Sequence, residues 1–85
     1  MFFVYLLKSQ LDGSFYVGYT TDLARRLQEH NEGLSRYTSR KIPWEMVHTE
    51  AFETKAEALK REIFLKKQRN RAFYHSLADT GWFPE

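Results

Sequence analysis

The chain of 85 residues is 42% hydrophobic and 16% aromatic, with a formal net charge of +2. This length supports one compact domain over residues 1–85 with one modest core, and excludes two. The absence of cysteine excludes a disulfide framework, a thiolate zinc site and a cysteine nucleophile, and indicates a reducing compartment. The apolar run 2–7 ends at Lys8, too soon for a signal peptide or a membrane span. We therefore expect a cytoplasmic protein without a membrane partner.

The positive charges are unevenly spread along the chain. Arg36, Arg40 and Lys41 form one cluster, and the segment 58–71 carries six basic residues with Glu62 as its only acid. Such a distribution predicts a local anion-attracting surface, and the alternative interpretation is a solvated helix face.

A hairpin is predicted at the start of the chain. Residues 2–7 are rich in strand formers and apolar at both alternating positions, which indicates a strand covered on both sides. Asp12-Gly13 is a strong turn signal before a second strand at residues 14–19.

The first helix follows this hairpin. Thr21 or Asp22 can cap a helix at roughly residues 22–32, which Gly33 ends. The next ten residues, 33–42, contain turn formers and bases without a period, and this pattern predicts a loop.

The second half of the chain predicts a strand and two helices. Residues 45–52 alternate enough to form a third strand. Thr54 and Glu57 form a capping box that opens a helix through about residue 68. Asn70 can cap a last helix that reaches Ala78.

The element order β-β-α-β-α-α predicts an α+β fold with a three-stranded, mainly antiparallel sheet flanked by helices. Its core would span residues 2–78. The tail 79–85 contains glycine and proline, so we expect it to be irregular, with Trp82 and Phe83 packed back onto the body.

Two strand tyrosines are the first candidates for a functional site. A two-residue turn at Asp12-Gly13 would place Tyr16 opposite Ser9, and a longer turn would place it opposite Tyr5. Because strand faces alternate with period two, either pairing puts Tyr5 and Tyr16 on one face of the sheet. Two half-buried structural tyrosines are the alternative interpretation.

The first helix adds a cation to this set. Arg26 and His30 are four residues apart and share one stripe, with Asp22 as a possible partner of the arginine. Leu23 and Leu27 orient the helix so that Arg26 lies beside the buried seam, where its planar guanidinium suits a phosphate. An exposed arginine and a surface histidine are the alternative.

Glu62 lies at the margin of the apolar stripe of the second helix, between Leu59 and Ile63. A partly desolvated carboxylate needs a partner. Arg26 could form a structural ion pair with it, and a hydrated Mg²⁺ would serve equally well.

These residues resemble the GIY-YIG nuclease superfamily from Phe3 to about Lys67. The similarity lies in the ordered set Phe3-Val4-Tyr5, Tyr16-Val17-Gly18, Arg26, His30 and Glu62. The segment 16–31 is especially similar to short stand-alone bacterial GIY-YIG proteins, which are related to the N-terminal domain of an excinuclease component and to intron homing endonucleases. The first triplet departs from the pattern, since it is Phe-Val-Tyr, but it keeps the tyrosine.

The resemblance implies hydrolysis of a phosphodiester bond with one Mg²⁺ or Mn²⁺ ion as cofactor. Tyr5 would orient or deprotonate the attacking water, and Tyr16 would contact the scissile phosphate or share that task. Arg26 would stabilise the charge that builds on the phosphoryl oxygens. Glu62 would hold the metal, and His30 could relay a proton.

The expected substrate is nucleic acid, DNA in the first instance, cut by a structure-selective or weakly specific endonuclease of DNA repair or recombination. The candidate phosphate contacts are Arg25, Arg36, Arg40, Lys41, Lys60, Lys66 and Lys67. Two alternatives are a catalytically idle nucleic-acid-binding module and a domain that docks on a protein partner supplying specificity. Tyr37 and Trp44 could stack on single-stranded bases, or could simply pack under the loop.

Overall fold

The computed structural model describes residues 1–80 of the chain. Its elements are β1 (Phe2–Ser9), β2 (Phe15–Thr20), α1 (Leu23–Asn31), a short 3-10 helix (Thr38–Arg40), β3 (Trp44–Phe52), α2 (Lys55–Lys66) and α3 (Arg71–Thr80). This confirms the α+β class and the predicted order of strands and main helices. None of the helices in this range is long and apolar enough to cross a membrane.

β1 is the central strand of an antiparallel sheet with the order β2-β1-β3. All four residues at positions 4–7 are buried, because helices cover both faces of the sheet. Val4 and Leu6 pack against residues of α2 and α3. Tyr5 and Leu7 pack on the opposite face, which α1 covers. The expected strand with two covered faces is therefore confirmed.

The hairpin is wider than a two-residue turn at Asp12-Gly13. Tyr16 lies opposite Leu7, so both expected pairings of Tyr16, with Ser9 and with Tyr5, are wrong. The observed register differs from each of them by two residues, and an even shift leaves a side chain on the same face. The conclusion that the two tyrosines share a face is confirmed.

The helix ends follow the predicted caps. Asp22 caps α1, since its Oδ1 accepts a hydrogen bond from the Arg25 amide at 3.1 Å. Gly33 follows the end of this helix with a φ of 78°, in the left-handed region that favours glycine. Thr54 caps α2, and its hydroxyl oxygen accepts from the Glu57 amide at 3.2 Å.

α3 is longer than predicted. Asn70 caps it, with Oδ1 accepting from the amides two and three residues later at 2.9 and 3.3 Å. The helix continues to Thr80 and does not end at Ala78, so the expected irregular tail is wrong for residues 79 and 80. The expected packing of Trp82 and Phe83 lies outside the described residues.

A buried ion pair joins β3 to α2. The Glu50 side chain is fully buried, and its two carboxylate oxygens accept from Arg61 Nε at 2.7 Å and Nη2 at 3.1 Å. His48 Nε2 lies 2.8 Å from Oε2. Burial opposes the charge of Glu50, but His48 and Arg61 hold its pKa below the ordinary value. Arg61, one of the six basic residues of the segment 58–71, therefore forms an ion pair inside the fold.

Candidate active site

The phenols of Tyr5 and Tyr16 meet on the face of the sheet that α1 covers, with ring centroids 6.5 Å apart. Tyr5 is only 1% exposed. Its side chain crosses over β2 at Gly18, the residue opposite it in the ladder. A Cβ at Gly18 would collide with the hydroxyl and ring atoms of Tyr5. Glycine in the second triplet therefore leaves room for the phenol of the first.

His30 is the hydrogen-bond partner of the Tyr5 hydroxyl. The imidazole is fully buried, with Nε2 at 2.9 Å from Tyr5 Oη and Nδ1 at 2.7 Å from Thr38 Oγ1. The Thr38 hydroxyl is also directed to the Ser35 carbonyl oxygen at 3.4 Å. If the threonine hydroxyl donates its proton to that carbonyl, its oxygen accepts a hydrogen bond from Nδ1–H of His30. Nε2 then carries no proton and accepts a hydrogen bond from the Tyr5 hydroxyl. We assign this tautomer to His30.

Burial keeps this pair neutral. Burial raises the pKa of Tyr5 to about 12, although a hydrogen bond with Arg26 acts in the opposite direction. Burial likewise lowers the pKa of His30 to about 4, and the charge of Arg26 adds to the effect. At neutral pH the proton therefore rests on the phenol, and the imidazole accepts it as a hydrogen bond.

Arg26 extends from α1 to this pair. Burial opposes its charge, but the Glu29 carboxylate and the Tyr5 hydroxyl outweigh burial and raise the pKa of the guanidinium. Its Nη1 donates to Glu29 Oε1 at 3.1 Å. The expected partner Asp22 caps the helix, so that pairing is wrong. The Arg26 side chain is 31% exposed, so it is partly accessible to solvent.

Glu62 approaches the tyrosines from α2. Its side chain is 17% exposed and pairs with Lys66 Nζ, one turn further along the helix, at 3.3 Å. The expected structural ion pair with Arg26 is therefore wrong. The negative charge of Glu62 acts on the Tyr5 phenol, and Lys66 Nζ lies 6.0 Å from the centroid of the Tyr16 ring. Since β2 is an edge strand, both residues of α2 can reach the pocket past its free side.

The donor set fits a cation that keeps most of its water. No group of three or more His, Asp or Glu side chains among residues 1–80 could enclose a metal ion. One partly exposed carboxylate suits Mg²⁺ or Mn²⁺, which needs few protein ligands when substrate oxygens and water complete the shell. Glu62 is the residue that would hold it.

The candidate phosphate contacts divide into two groups. Arg36, Arg40 and Lys41 line a pocket of about 490 Å³ together with Tyr37. Lys66 lines a neighbouring pocket of about 260 Å³ together with Tyr16 and Tyr37. The others lie elsewhere. Arg25 is exposed and pairs with Glu29 at 3.8 Å, and Lys60 and Lys67 lie roughly 160° and 140° around the axis of α2 from Glu62.

Two aromatic residues of the loop region have different surroundings. Trp44 is 3% exposed and donates from Nε1 to the Thr38 carbonyl oxygen at 2.8 Å. It belongs to the core, so the interpretation that it packs under the loop is confirmed, and the alternative that it stacks on a base is wrong. Tyr37 is 56% exposed and stacks on Tyr16 with centroids 5.9 Å apart.

Sequence reasoning did not find Thr38. Its side chain is fully buried and holds Nδ1 of His30. The short 3-10 helix that carries it has no periodic pattern, and the contact depends on how the loop packs against α1. A threonine in a run of polar loop residues offered no signal of this role.

The sequence is similar to those of known proteins. The GIY-YIG catalytic domain family matches residues 1–75. A UPF0213 protein of Enterococcus faecalis is 52% identical over 68 residues, 76% of this chain and 76% of that protein. The UPF0213 protein VNG_2274C of Halobacterium salinarum is 44% identical over 68 residues, 79% of this chain and 87% of that protein.

Solved structures give the same result. The solution NMR structure of the protein EF2693 from E. faecalis has a TM-score of 0.60 at 45% identity, covering 92% of this chain and 82% of that one. That of the UPF0213 protein BH0048 from Bacillus halodurans has a TM-score of 0.58 at 37% identity, covering 95% and 87%. The extent of the family match and the identity of these relatives show that the chain belongs to the GIY-YIG catalytic domain family, alongside the UPF0213 proteins.

Proposed function

We propose that this protein is a divalent-metal-dependent endonuclease that hydrolyses phosphodiester bonds of DNA. The observation that carries the proposal is the buried Tyr5–His30 hydrogen bond of 2.9 Å, with the charges of Arg26 and Glu62 both acting on the Tyr5 phenol. Phosphoryl transfer needs positioning and charge stabilisation above all, and this pocket offers a phenol, a guanidinium and a carboxylate for both tasks.

Tyr5 positions the water. Its hydroxyl accepts a hydrogen bond from the water while donating to His30, so one oxygen links the nucleophile to a proton acceptor. As the water oxygen forms its bond to phosphorus, a water proton passes to Tyr5 and the phenolic proton passes to His30 Nε2. The bond from phosphorus to the leaving oxygen breaks, and that oxygen takes up a proton from solvent. Every proton then has a destination.

The resting pKa values oppose this relay, because the pKa of Tyr5 is about 12 and that of His30 is about 4. Charges that arrive with the substrate must therefore lower the pKa of Tyr5 and raise that of His30. The phosphate favours a protonated imidazole, and positive charge next to the phenol favours phenolate. Glu62 would hold the Mg²⁺ or Mn²⁺ ion, which would supply that positive charge.

Arg26 stabilises the reacting phosphoryl group. Its side chain is about one-third exposed, and the Tyr5 hydroxyl raises the pKa of its guanidinium, which puts the planar fork near the position of attack. Guanidinium groups bind phosphate oxygens through two parallel hydrogen bonds. The lysines and arginines around the tyrosines supply further phosphate contacts that carry no sequence information. This suits a cytoplasmic enzyme that selects DNA by structure, in repair or recombination.

The test uses branched, nicked and single-stranded DNA with Mg²⁺, Mn²⁺ or EDTA. Cleavage is expected only with metal, and Glu62→Gln is expected to lower its rate about a hundredfold or more. Glu53→Gln removes an exposed carboxylate outside the pocket and serves as the matched control, with cleavage like the parent. Equal cleavage by Glu62→Gln contradicts the proposal. A catalytically idle module would bind DNA with an affinity that falls steeply as the salt concentration rises. Its affinity would be the same in EDTA, and it would cut none of the substrates.

A further inference from the structure

Tyr37 is the shared wall of two neighbouring pockets. The first, of about 260 Å³, is lined by residues of β2, α2 and α3 together with this tyrosine, namely Phe15, Tyr16, Val17, Tyr37, Lys66 and Tyr74. The second, of about 490 Å³, is lined by Arg36, Tyr37, Arg40 and Lys41. One pocket therefore adjoins the candidate active site, and the other is basic.

The ring of Tyr37 is exposed but held in place. It is 56% exposed, yet it stacks on Tyr16 at 5.9 Å with an interplanar angle of 27°. Lys41 Nζ lies 5.6 Å from the ring centroid and is itself fixed by Asp12 at 3.3 Å and Ser14 at 2.9 Å. An aromatic face kept in water at a fixed angle is what a base-stacking platform requires.

Two arginines of the second pocket have no ion-pair partner among residues 1–80. Neither Arg36 nor Arg40 forms an ion pair with another described residue, and both are exposed. Lys66 supplies charge on the other side of Tyr37, beside Tyr16. Cations on both sides of an exposed ring match the repeat of a nucleic-acid strand, in which a base lies between two phosphates.

We propose that Tyr37 stacks on an unpaired nucleobase of a bound strand, with one flanking phosphate at Lys66 and Tyr16 and the next at Arg36 and Arg40. The placement of the first phosphate rests on the proposed nuclease function. A base inside a duplex stacks on its neighbours and cannot cover a protein ring without leaving the helix. The substrate class is therefore a nucleic acid with an unpaired nucleotide beside the cleaved bond, such as a single strand, a flap or a bubble.

Binding without cleavage tests this inference. Fluorescence anisotropy in EDTA compares a thymidine oligomer, an abasic oligomer of equal length and a fully paired hairpin. Tyr37→Leu is expected to weaken binding of the thymidine oligomer about tenfold or more, the usual value of one stacked base, and to leave the other two unchanged. Tyr37→Phe and Tyr37→Trp keep an aromatic face and are expected to bind the thymidine oligomer like the parent or more tightly.

Arg40→Gln is the control for charge. It is expected to weaken binding of the thymidine and abasic oligomers equally, and to reduce the salt slope by about one. The proposal is overturned if Tyr37→Leu binds the thymidine oligomer like the parent, if it loses equal affinity for the abasic strand, or if the parent binds no thymidine oligomer. If Tyr37→Leu does not fold, the test uses an oligomer with a fluorescent 2-aminopurine base. Its fluorescence is expected to be quenched when it binds the parent or the Tyr37→Phe variant, and unchanged fluorescence overturns the proposal.

The two proposals fail separately. Stacking in EDTA together with no cleavage under any metal condition rejects the nuclease function and keeps the platform. Metal-dependent cleavage that Glu62→Gln abolishes, combined with Tyr37→Leu binding like the parent, rejects only the platform.

Discussion

The hydroxyl of Tyr5 lies 2.9 Å from Nε2 of His30, a residue 25 positions away on another element. The tyrosine is 1% exposed and the histidine 0%, so bulk water satisfies neither group. Nε2 of His30 therefore depends on the phenol for its hydrogen bond. The same bond gives the phenol a proton acceptor, which makes this pair both a structural link between β1 and α1 and the centre of the proposed chemistry.

Tyr5→Phe separates these two roles. It keeps the ring over Gly18 but leaves Nε2 of His30 without its donor, which is expected to cost about 1–3 kcal/mol of unfolding free energy. The cleavage rate is expected to fall on the order of a hundredfold. Urea unfolding and cleavage assays measure the two effects. Tyr19→Phe, at a half-buried position of β2 outside this pocket, is the control, and parental cleavage by Tyr5→Phe would refute the role of the phenol.

The stability of the fold is expected to depend on His30 below neutral pH. Burial lowers the pKa of this imidazole from 6.5 to about 4. Between these values the unfolded chain binds a proton that the folded chain excludes. The contribution of the neutral imidazole to the free energy of unfolding is therefore complete above pH 6.5 and is lost as the pH falls toward 4. Its magnitude is on the order of 3 kcal/mol.

Urea unfolding of the parent and of His30→Gln from pH 7 to pH 4 checks this dependence. The variant is expected to be less stable at pH 7 and to lose less stability as the pH falls. Carboxylates such as Glu50, whose pKa the fold lowers, contribute to both proteins and cancel in the difference. Parallel curves for the two proteins would contradict the assignment.

Gly18→Ala is expected to displace the phenol. A Cβ at this position would overlap the Tyr5 hydroxyl and ring, and overpacking of this kind costs about 1–3 kcal/mol. A double-mutant cycle with Tyr5→Ala identifies the cause, because removing the ring opens the space that the methyl group needs. The two changes are expected to be less than additive by about 1 kcal/mol or more. Simple additivity would show that the two residues do not compete for this space.

Lys66 and Lys60 form a matched pair for testing which side of α2 faces the nucleic acid. Both lie on this helix, but only Lys66 is beside Tyr16 and Glu62. Lys66→Gln is expected to reduce the slope of log affinity against log salt by about one, as loss of one phosphate contact does. Lys60→Gln is expected to leave the slope unchanged. Equal reductions would show that the outer face of α2 also contacts phosphates.

Local patterns predicted the fold and part of the site. The alternation of strand faces placed Tyr5 and Tyr16 on the same face of the sheet. This conclusion is correct although both expected registers are wrong, because each differs from the observed register by two residues. The caps at Asp22 and Thr54 placed the two helices to within two residues, since a cap depends on neighbours three positions away. Glu62 was expected at a margin, and its side chain is 17% exposed.

Partners across elements could not be predicted in the same way. Asp22 and Glu62 were possible partners of Arg26, but it pairs with Glu29. Several carboxylates lie within reach of a long side chain, and only the packed rotamer selects one. A surface histidine was the alternative interpretation of His30, yet the residue is fully buried and bonds to Tyr5 of β1 and to Thr38 of the 3-10 helix.

What the sequence by itself determined is therefore the periodic faces and the caps, which follow from interactions within a few residues, and the family, which follows from an ordered set of motifs along the chain. The tertiary structure alone decided that Thr38 holds His30, that Trp44 is buried and that Tyr37 remains in water. These outcomes depend on how closely the loop and α1 pack against the sheet. The burial that results raises the pKa of Tyr5 to about 12 and lowers that of His30 to about 4.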